Sequence, residues 1–467
     1  MIPETTLALS GVLHERIQAH LFPGDGLEAA AILLCARTPG PRLRLLVQDV
    51  VLIPHEASQR RERDAITWPG AYMEEAIDHG ESERLALVLI HSHPGGLFAF
   101  SELDDESDQH VLPCVFNAFG DLHGSAIMIP SGAIMARIYE ADLIAKPVDL
   151  VTVANHDLSY WWEADAGSTR SLRRPVALTS GMVDELGRLS AAVIGVSGTG
   201  SIVAEQLARL GFGHIKLIDF DRIEHRNLNR ILNSKLSDVD AHRLKVEMCT
   251  DAVASYRGGG VAEAVPASVL TREAVLAASQ CDVLFCCVDT LEARQIADLL
   301  AAAFLIPLLD VGVVIPTRKG DEGATIADVC GRIDYVQPGR SSLRDRGVYS
   351  PESLRAAYLQ RAAPEAHRQE REAGYIKGLI EEAPAVITLN MRAAAACVNE
   401  FIARAYPFRL ESNDLYARTE FSLAACEEEY VAEEAFVPSA NPILGRGALE
   451  PLLGLPVLRP ARVGASR

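Results

Sequence analysis

The chain has 467 residues, 49% apolar and 23% charged, with 44 Lys and Arg against 63 Asp and Glu, a net charge of −19. That is enough apolar surface to build packed cores, which excludes disorder as the main state. The acidic balance argues against a general nucleic-acid binder, which needs a basic face. At about 150 residues per domain, roughly three units or two large ones are expected.

The start, Met1-Ile2-Pro3-Glu4-Thr5-Thr6, has no basic segment leading into an apolar one, so no signal peptide is expected. The longest charge-free apolar run, Leu299 to Leu309, is too short for a transmembrane helix, which needs about 20 residues. Nine cysteines without regular spacing do not read as a disulfide framework. The expectation is a cytoplasmic protein with reduced thiols and neither membrane nor nucleic acid as a partner.

In chain order, Ala29 to Cys35 and Leu43 to Pro54 are apolar runs split by Pro39-Gly40-Pro41, which predicts a strand pair. Leu85 to Ile90 reads as a buried strand running into His91-Ser92-His93-Pro94-Gly95-Gly96. Ser125 to Ile129 and Ile134 to Tyr139 form a second strand pair about Pro130-Ser131-Gly132. The mixed stretch from Asn155 to Arg174 is the expected join between domains. Beyond it, strands at Ala191 to Val196, His214 to Ile218, Asp282 to Val288 and Ile306 to Val314 are expected, with a helix at Ile202 to Leu210. Strands alternating with helices indicate a parallel, doubly wound sheet. Glu352 to Glu382 reads as a charged helix and Ala383 to Ala405 as a more apolar one. An acidic stretch, Glu427 to Glu434, and a Pro/Gly/Leu-rich tail close the chain. The expected domains are 1–150, a linker at 151–172, 173–410, and a C-terminal extension at 411–467.

Two constellations carry chemistry. The first is His91-Ser92-His93, then Ser101, then Asp104. Histidines at i and i+2 on a strand end point the same way and can reach one ion. A carboxylate supplies a third ligand, and an N, N, O set leaves a fourth position for water, the pattern of a catalytic zinc. Bound zinc lowers the water pKa towards 7. A nearby Glu is then needed as base and acid, and Ser101 could donate to a developing oxyanion. The string H-S-H-P-x6-S-x2-D resembles the JAMM (JAB/MPN) zinc isopeptidases over roughly residues 10 to 150. The resemblance implies a catalytic Glu on an upstream segment. Leu27-Glu28-Ala29-Ala30-Ala31-Ile32-Leu33-Leu34 matches best, with alanine at the usual glycine, and Glu56 is the competitor.

The second is Gly195-Val196-Ser197-Gly198-Thr199-Gly200, after a strand and opening a helix. Such glycines allow a tight turn, and the helix N-terminus attracts phosphate. Alone this suits NAD or FAD equally. Asp219 and Asp221 end the second strand, followed by Asn227, Arg230 and Lys245. These cations suit a triphosphate whose charge must be neutralised, and Asp289 could hold Mg²⁺. Together G-x-x-G-x-G-S, D-x-D, N-L-x-R, a following Lys and V-D-T resemble the ThiF/MoeB/ubiquitin-activating E1 adenylation domain over roughly residues 170 to 410. Ser197 stands at the family's second glycine. The resemblance implies that Arg174 reaches a partner subunit's ATP in a homodimer, and that Gly195, Gly198, Gly200, Asp219, Asp221, Asn227, Arg230, Lys245 and Asp289 surround ATP and Mg²⁺.

Related bacterial members follow the sheet with Pro-Gly and a C-x-x-C-like pair. Here Pro338-Gly339 leads to Ser342 and Asp345 at those places, so no thiol stands there. Cys426 and Cys330 are the remaining candidates for a thioester. The fold expected is α/β throughout: a JAMM-type metalloprotease domain, then a Rossmann-like, doubly wound E1/ThiF adenylation domain. The function this implies is bifunctional. A zinc isopeptidase matures or removes a ubiquitin-like protein, and an ATP-dependent domain adenylates its C-terminal Gly, with an E2-like protein as a further partner. The alternatives are a sulfur-carrier adenylyltransferase for cofactor biosynthesis and a non-catalytic scaffold.

Overall fold

The computed structural model describes residues 2–38, 40–163, 174–320, 323–362 and 386–460. The front unit is built on a nine-stranded sheet. Its elements are β1 (Thr5–Ser10), α1 (Gly11–Leu21), β2 (Ala30–Thr38), β3 (Leu43–Leu52), the short hairpin β4 (Arg60–Arg61) and β5 (Ile66–Thr67), α2 (Ala71–Glu83), β6 (Ala86–Ser92), α3 (Glu102–Ala118), β7 (His123–Met128), β8 (Ile134–Tyr139), β9 (Lys146–Pro147), β10 (Leu150–Ala154) and β11 (Leu158–Trp162). The strand order is β11-β10-β1-β3-β2-β6-β7-β8-β9, with β4 and β5 pairing separately.

The join expected at 151–172 is therefore corrected. β10 lies parallel to β1 and β11 turns back antiparallel on it. All five residues of β10 are buried, and Trp162 fills the core. The Asn155-His156-Asp157 turn made this segment read as a boundary. Residues 164–172 of the proposed linker, with Gly167-Ser168-Thr169, lie outside the described residues.

The rear unit holds α4 (Ser180–Leu186), β12 (Ser190–Ile194), α5 (Gly198–Leu210), β13 (His214–Ile218), α6 (Leu236–Asp240), α7 (Lys245–Arg257), β14 (Ala262–Val265), α8 (Arg272–Ala278), β15 (Val283–Cys286), α9 (Leu291–Phe304), β16 (Leu308–Val314), the hairpin β17 (Thr317–Gly320) and β18 (Gly323–Ile326), β19 (Cys330–Val336), α10 (Pro351–Ala362), a helix Ile387–Ala405, β20 (Arg418–Ser422) and β21 (Glu427–Val431). The strand order β14-β13-β12-β15-β16-β19-β20-β21 is parallel through β16 and antiparallel beyond it. The chain winds from β12 out to β14, then returns to β15 on the other side. This makes a topological switch point at β12 and β15, where such sheets bind ligands. β14 escapes the sequence reading because its four residues include Glu263. The charged helix expected to Glu382 is described only to Ala362. The apolar helix begins at Ile387, and Ala383 to Ala385 lie outside the described residues.

The extension drawn at 411–467 is likewise not an appendage over its described residues, 411–460; residues 461–467 lie outside them. β20 and β21 widen the rear sheet. Residues 443 to 458 then run back across both units: the Gly445 and Gly447 amides donate to Ala302 and Ala303 carbonyls at 3.0 and 2.8 Å, and Arg446 pairs with Glu83 at 3.0 Å. Leu452, Leu453 and Leu458 are buried in a core shared by Ala30, Ile32 and Leu34 of β2 with Ala278, Ala297 and Leu300 of α8 and α9. Two buried arginines before and within β3 cross the same seam. Arg42 pairs with Asp282 at 2.7 Å and donates to Thr6 Oγ1, while Arg44 donates to the Ser279 and Cys281 carbonyls.

Removing one partner of a buried ion pair strands the other charge, at about 3–5 kcal/mol. Arg42→Met should therefore lower the thermal midpoint of the whole chain in a calorimetric scan. An unchanged midpoint would show that Asp282 does not depend on Arg42.

Candidate active sites

In the front unit the register of β2 against β6 assembles the site. Ala30 lies opposite His91. The Ser92 amide donates to the Ala29 carbonyl and Ser92 Oγ accepts from the Ala29 amide, both at 2.9 Å. One step further along that register, Glu28 comes level with His93. The hairpin clasps Glu28 by its backbone: its amide donates to the Glu62 carbonyl at 2.7 Å, and its carbonyl accepts from Arg61 Nε at 2.8 Å.

His91 and His93, two apart on the strand end, bring their Nε2 atoms to 3.1 Å. Asp104 reaches both, with Oδ1 at 3.0 Å from His91 Nε2 and Oδ2 at 3.4 Å from His93 Nε2. Asp104 is the third residue of α3, whose N-cap is Ser101. The Ser101 amide and hydroxyl donate to Asp104 Oδ2 at 2.6 and 2.8 Å. His93 Nδ1 faces the Leu97 carbonyl at 3.0 Å, which fixes the proton on Nδ1 and turns the Nε2 lone pair into the cluster.

These three donors fit a zinc ion. Bonds of about 2.0–2.1 Å in a tetrahedron place ligand atoms roughly 3.3 Å apart, and the observed separations bracket that value. Glu28 also falls in range, within 4.8 Å of both histidines. It is 6% exposed, and burial raises its pKa against the pull of His91 and His93. For Asp104 burial is overcome by the hydrogen bonds from both imidazoles, which hold it well below the usual carboxylate range. In His93 burial opposes protonation, but the bonds to Asp104 and to the Leu97 carbonyl prevail and raise it. A charged carboxylate among the nitrogens beside a desolvated one is an arrangement that separates ligand from base. Glu56 is exposed in a turn apart from the cluster. Ser101 corrects one expectation: its hydroxyl is committed to Asp104 rather than free for an oxyanion.

In the rear unit the switch point opens a cleft of about 960 Å³. Gly195, Gly198, Asp219, Asp221, Asn227, Arg230, Lys245 and Asp289 all line it. Gly195 takes φ +85°, in the left-handed region that favours glycine. Gly200 lies behind, where any side chain would overlap the Gly195 carbonyl. Ser197 has φ −105° and so needs no glycine. The α5 N-terminus faces this loop and offers amides to an anion. Asp219 accepts the Val196 and Asp221 amides, each at 2.8 Å, and burial raises its pKa. Lys245 Nζ pairs with Asp221 at 2.7 Å. Asn227 Oδ1 accepts the Glu224 amide at 2.9 Å. Arg230 donates to the Arg226 carbonyl at 2.6 Å, and Asp289 is exposed at the rim.

Arg174 lies at the end of the helix Ile387–Ala405. Its guanidinium donates to the Arg404 and Ala405 carbonyls, where the helix Ile387–Ala405 ends with acceptors to satisfy. Within the single chain it caps that helix and stands outside the chain's own cleft. The sequence reading missed Asn390, which abuts Gly198 and accepts from Thr199 Oγ1 at 3.4 Å, and Arg294, which pairs with Asp310 at the cleft floor. Asn390 sits in no recognisable motif. A second cavity of about 490 Å³ adjoins the cleft through Arg294, Val313 and Val314, and Glu420, Glu427 and Glu429 line its far side.

The thiols are poorly placed for transfer. Ser342 Oγ donates to Asp345 Oδ2 at 2.8 Å and caps the turn there. Burial and then Asp328 push Cys330 up to about 11. Cys287 lines the cleft, yet burial pushes it up to about 12. Cys426 is exposed in a left-handed turn.

Both sites have counterparts in known families. Residues 11–139 match the family of prokaryotic homologues of the JAB domain, and residues 170–396 match the ThiF family. The chain thus carries a JAB-like region followed by an E1-like ThiF region, the arrangement of a JAB–E1 fusion. The ubiquitin-like modifier-activating enzyme 5 of Caenorhabditis elegans is 29% identical over 176 residues, 35% of this chain and 39% of that protein. Its Caenorhabditis briggsae counterpart is 30% identical over 159 residues, 32% of this chain and 34% of that protein. The chain thus spans about two fifths or less of these curated relatives. Among solved structures, E. coli MccB with ATP aligns at a TM-score of 0.41 and 16% identity, over 56% of this chain and 68% of that one. No helix among the described residues is long and apolar enough to cross a membrane.

Metal analysis should find one zinc per chain in wild type and in Glu28→Gln, and less in His93→Ala. Equal zinc in wild type and His93→Ala would remove His93 from the ligand set. Zinc must displace the proton that metal-free His93 retains above the usual imidazole value of about 6.5. Affinity should therefore be full at alkaline pH and weaken on acidification from above that value, read by chelator competition.

Proposed function

We propose that the chain is a bifunctional enzyme of a ubiquitin-like modification pathway. The front site cleaves after the C-terminal glycine of a ubiquitin-like protein, to mature it or release it, and the rear site adenylates that glycine with ATP and Mg²⁺. The observation that carries this reading is the pairing, across one shared core, of the Glu28, His91, His93 and Asp104 cluster with a triphosphate-sized cleft at the switch point.

His91, His93 and Asp104 would hold zinc, which polarises a carbonyl and lowers the pKa of its water towards 7. Glu28, starved of water by burial, accepts a proton and returns it to the departing amine. Ser101 keeps Asp104 aimed. In the cleft, the α5 amides and the Gly195 to Gly200 turn receive the phosphates, Lys245 and Arg230 neutralise them, and Asp289 suits Mg²⁺. The glycine carboxylate attacks the α-phosphorus, the bond to the β-phosphate oxygen breaks, and pyrophosphate leaves. The adjoining cavity suits an extended tail, and its three glutamates favour one carrying Lys or Arg. The same proposal includes an E2-like protein and a homodimer as partners.

One observation favours the second reading, a sulfur-carrier adenylyltransferase: that role needs no thioester, and no described thiol stands ready at the cleft.

With a ubiquitin-like protein ending in Gly, ATP–pyrophosphate exchange should fall about 10²- to 10³-fold in Lys245→Ala, the usual loss for one charge-stabilising donor. Exchange unaffected by that change, or NAD bound instead of ATP, would discard the adenylation reading. Glu28→Gln should lose about 10²- to 10⁴-fold in cleavage while keeping exchange. On non-reducing gels no DTT-sensitive adduct is expected; one lost in Cys426→Ala would establish a thioester step and favour conjugation.

A further inference from the structure

We infer that Arg137 positions Asp104 in the front cluster, by clamping the first two turns of α3 to the sheet. This rests on the reading of His91, His93 and Asp104 as zinc ligands.

Ser101 alone cannot do this. As N-cap it orients the Asp104 carboxylate within the helix, and it moves with the helix. What matters to the histidines is where the helix start sits above β6, and apolar packing does not decide that. From Glu102 to His110 every side chain is exposed or half-exposed except Asp108; the apolar anchors, Leu112 and Val115, begin only in the third turn.

Asp108 is 6% exposed, and Arg137 on β8 is 7% exposed. The guanidinium lies 2.7 Å from Asp108 Oδ2, donates from Nε to the same oxygen at 3.0 Å, and donates from Nη1 to Asp105. Ser125 and Tyr139 hydroxyls complete the shell of Asp108, Tyr139 at 2.8 Å. The Arg137 Cζ also stands 3.9 Å over the centroid of Phe100, the residue before the cap. One planar cation therefore grips the chain on both sides of Asp104: Phe100 before it, Asp105 and Asp108 after it. Lysine cannot reproduce this, because its single ammonium cannot span two carboxylates and stack on a ring.

The test is zinc affinity of the full chain by chelator competition, with thermal melting as the check on folding. Arg137→Met should weaken zinc binding about 10- to 100-fold, the range for residues that orient a metal ligand. Arg137→Lys should fall between it and wild type. Asp105→Asn, at an exposed position, should show a smaller loss with no change in melting. In an Asp104→Ala background, Arg137→Met should cost nothing further, since its effect runs through Asp104. Undiminished affinity in Arg137→Met, or an equal loss with Asp104 absent, overturns the inference. If Arg137→Met does not fold, unchanged affinity in both Arg137→Lys and Asp105→Asn overturns it. A wild-type chain that binds no zinc refutes the metal reading instead.

Discussion

β2 is buried on both faces, and only one of those faces is covered entirely by its own unit. Ala31, Leu33 and Cys35 point into the front core with Leu7, Ile17 and Val88. Ala30, Ile32 and Leu34 point the other way, into a core completed by α8, α9 and the returning C-terminal segment. At about 25 cal/mol per Å² of apolar surface, this shared layer is a large term for both units. Arg42 and Arg44 add direction, since their donors must meet Asp282 and the Ser279 and Cys281 carbonyls. The front unit therefore holds its shape against the rear one.

The same strand sets the chemistry. Glu28 lies two residues before β2, and extending the β2–β6 register past Ala30 brings that carboxylate level with His93. Burying Glu28 beside two imidazoles and a second carboxylate works against stability, and folding tolerates it because the surrounding strands are deep in the core. Its desolvation and the strong ionisation of Asp104 have different causes. The first lacks close donors, while the second has two imidazoles and the Ser101 cap. In the rear unit the corresponding constraint is steric. Gly195 and Gly200 let the loop fold on itself, and only then can the α5 amides face a phosphate.

The strands that carry the sites were legible because each is a short apolar run leading into its chemical residues: β6 through His91, β12 before Gly195, β13 before Asp219. Spacing sufficed for His91, His93 and Asp104, since period two and a cap fix their meeting. What failed was whatever depended on distant partners. β10 and β11 looked like a join because parallel pairing with β1 is invisible in local pattern. The tail looked like an extension because the apolar residues of 443–458 find their partners in both units. Arg174 meets the last carbonyls of the helix Ile387–Ala405, a contact that no local pattern announces. Asn390 enters the cleft from a helix with no motif, and Arg137 acts through two carboxylates that the sequence gives no reason to connect.

If one chain both trims and activates the same C-terminus, the order of the two reactions is observable. The decisive measurement is ATP–pyrophosphate exchange with a ubiquitin-like precursor bearing extra residues after its glycine, compared with the mature form. The account predicts exchange with both substrates in wild type. In Glu28→Gln it predicts exchange with the mature protein only, because the glycine carboxylate is never exposed on the precursor. Exchange with the precursor that survives Glu28→Gln, or that is absent in wild type while the mature protein exchanges, would contradict it.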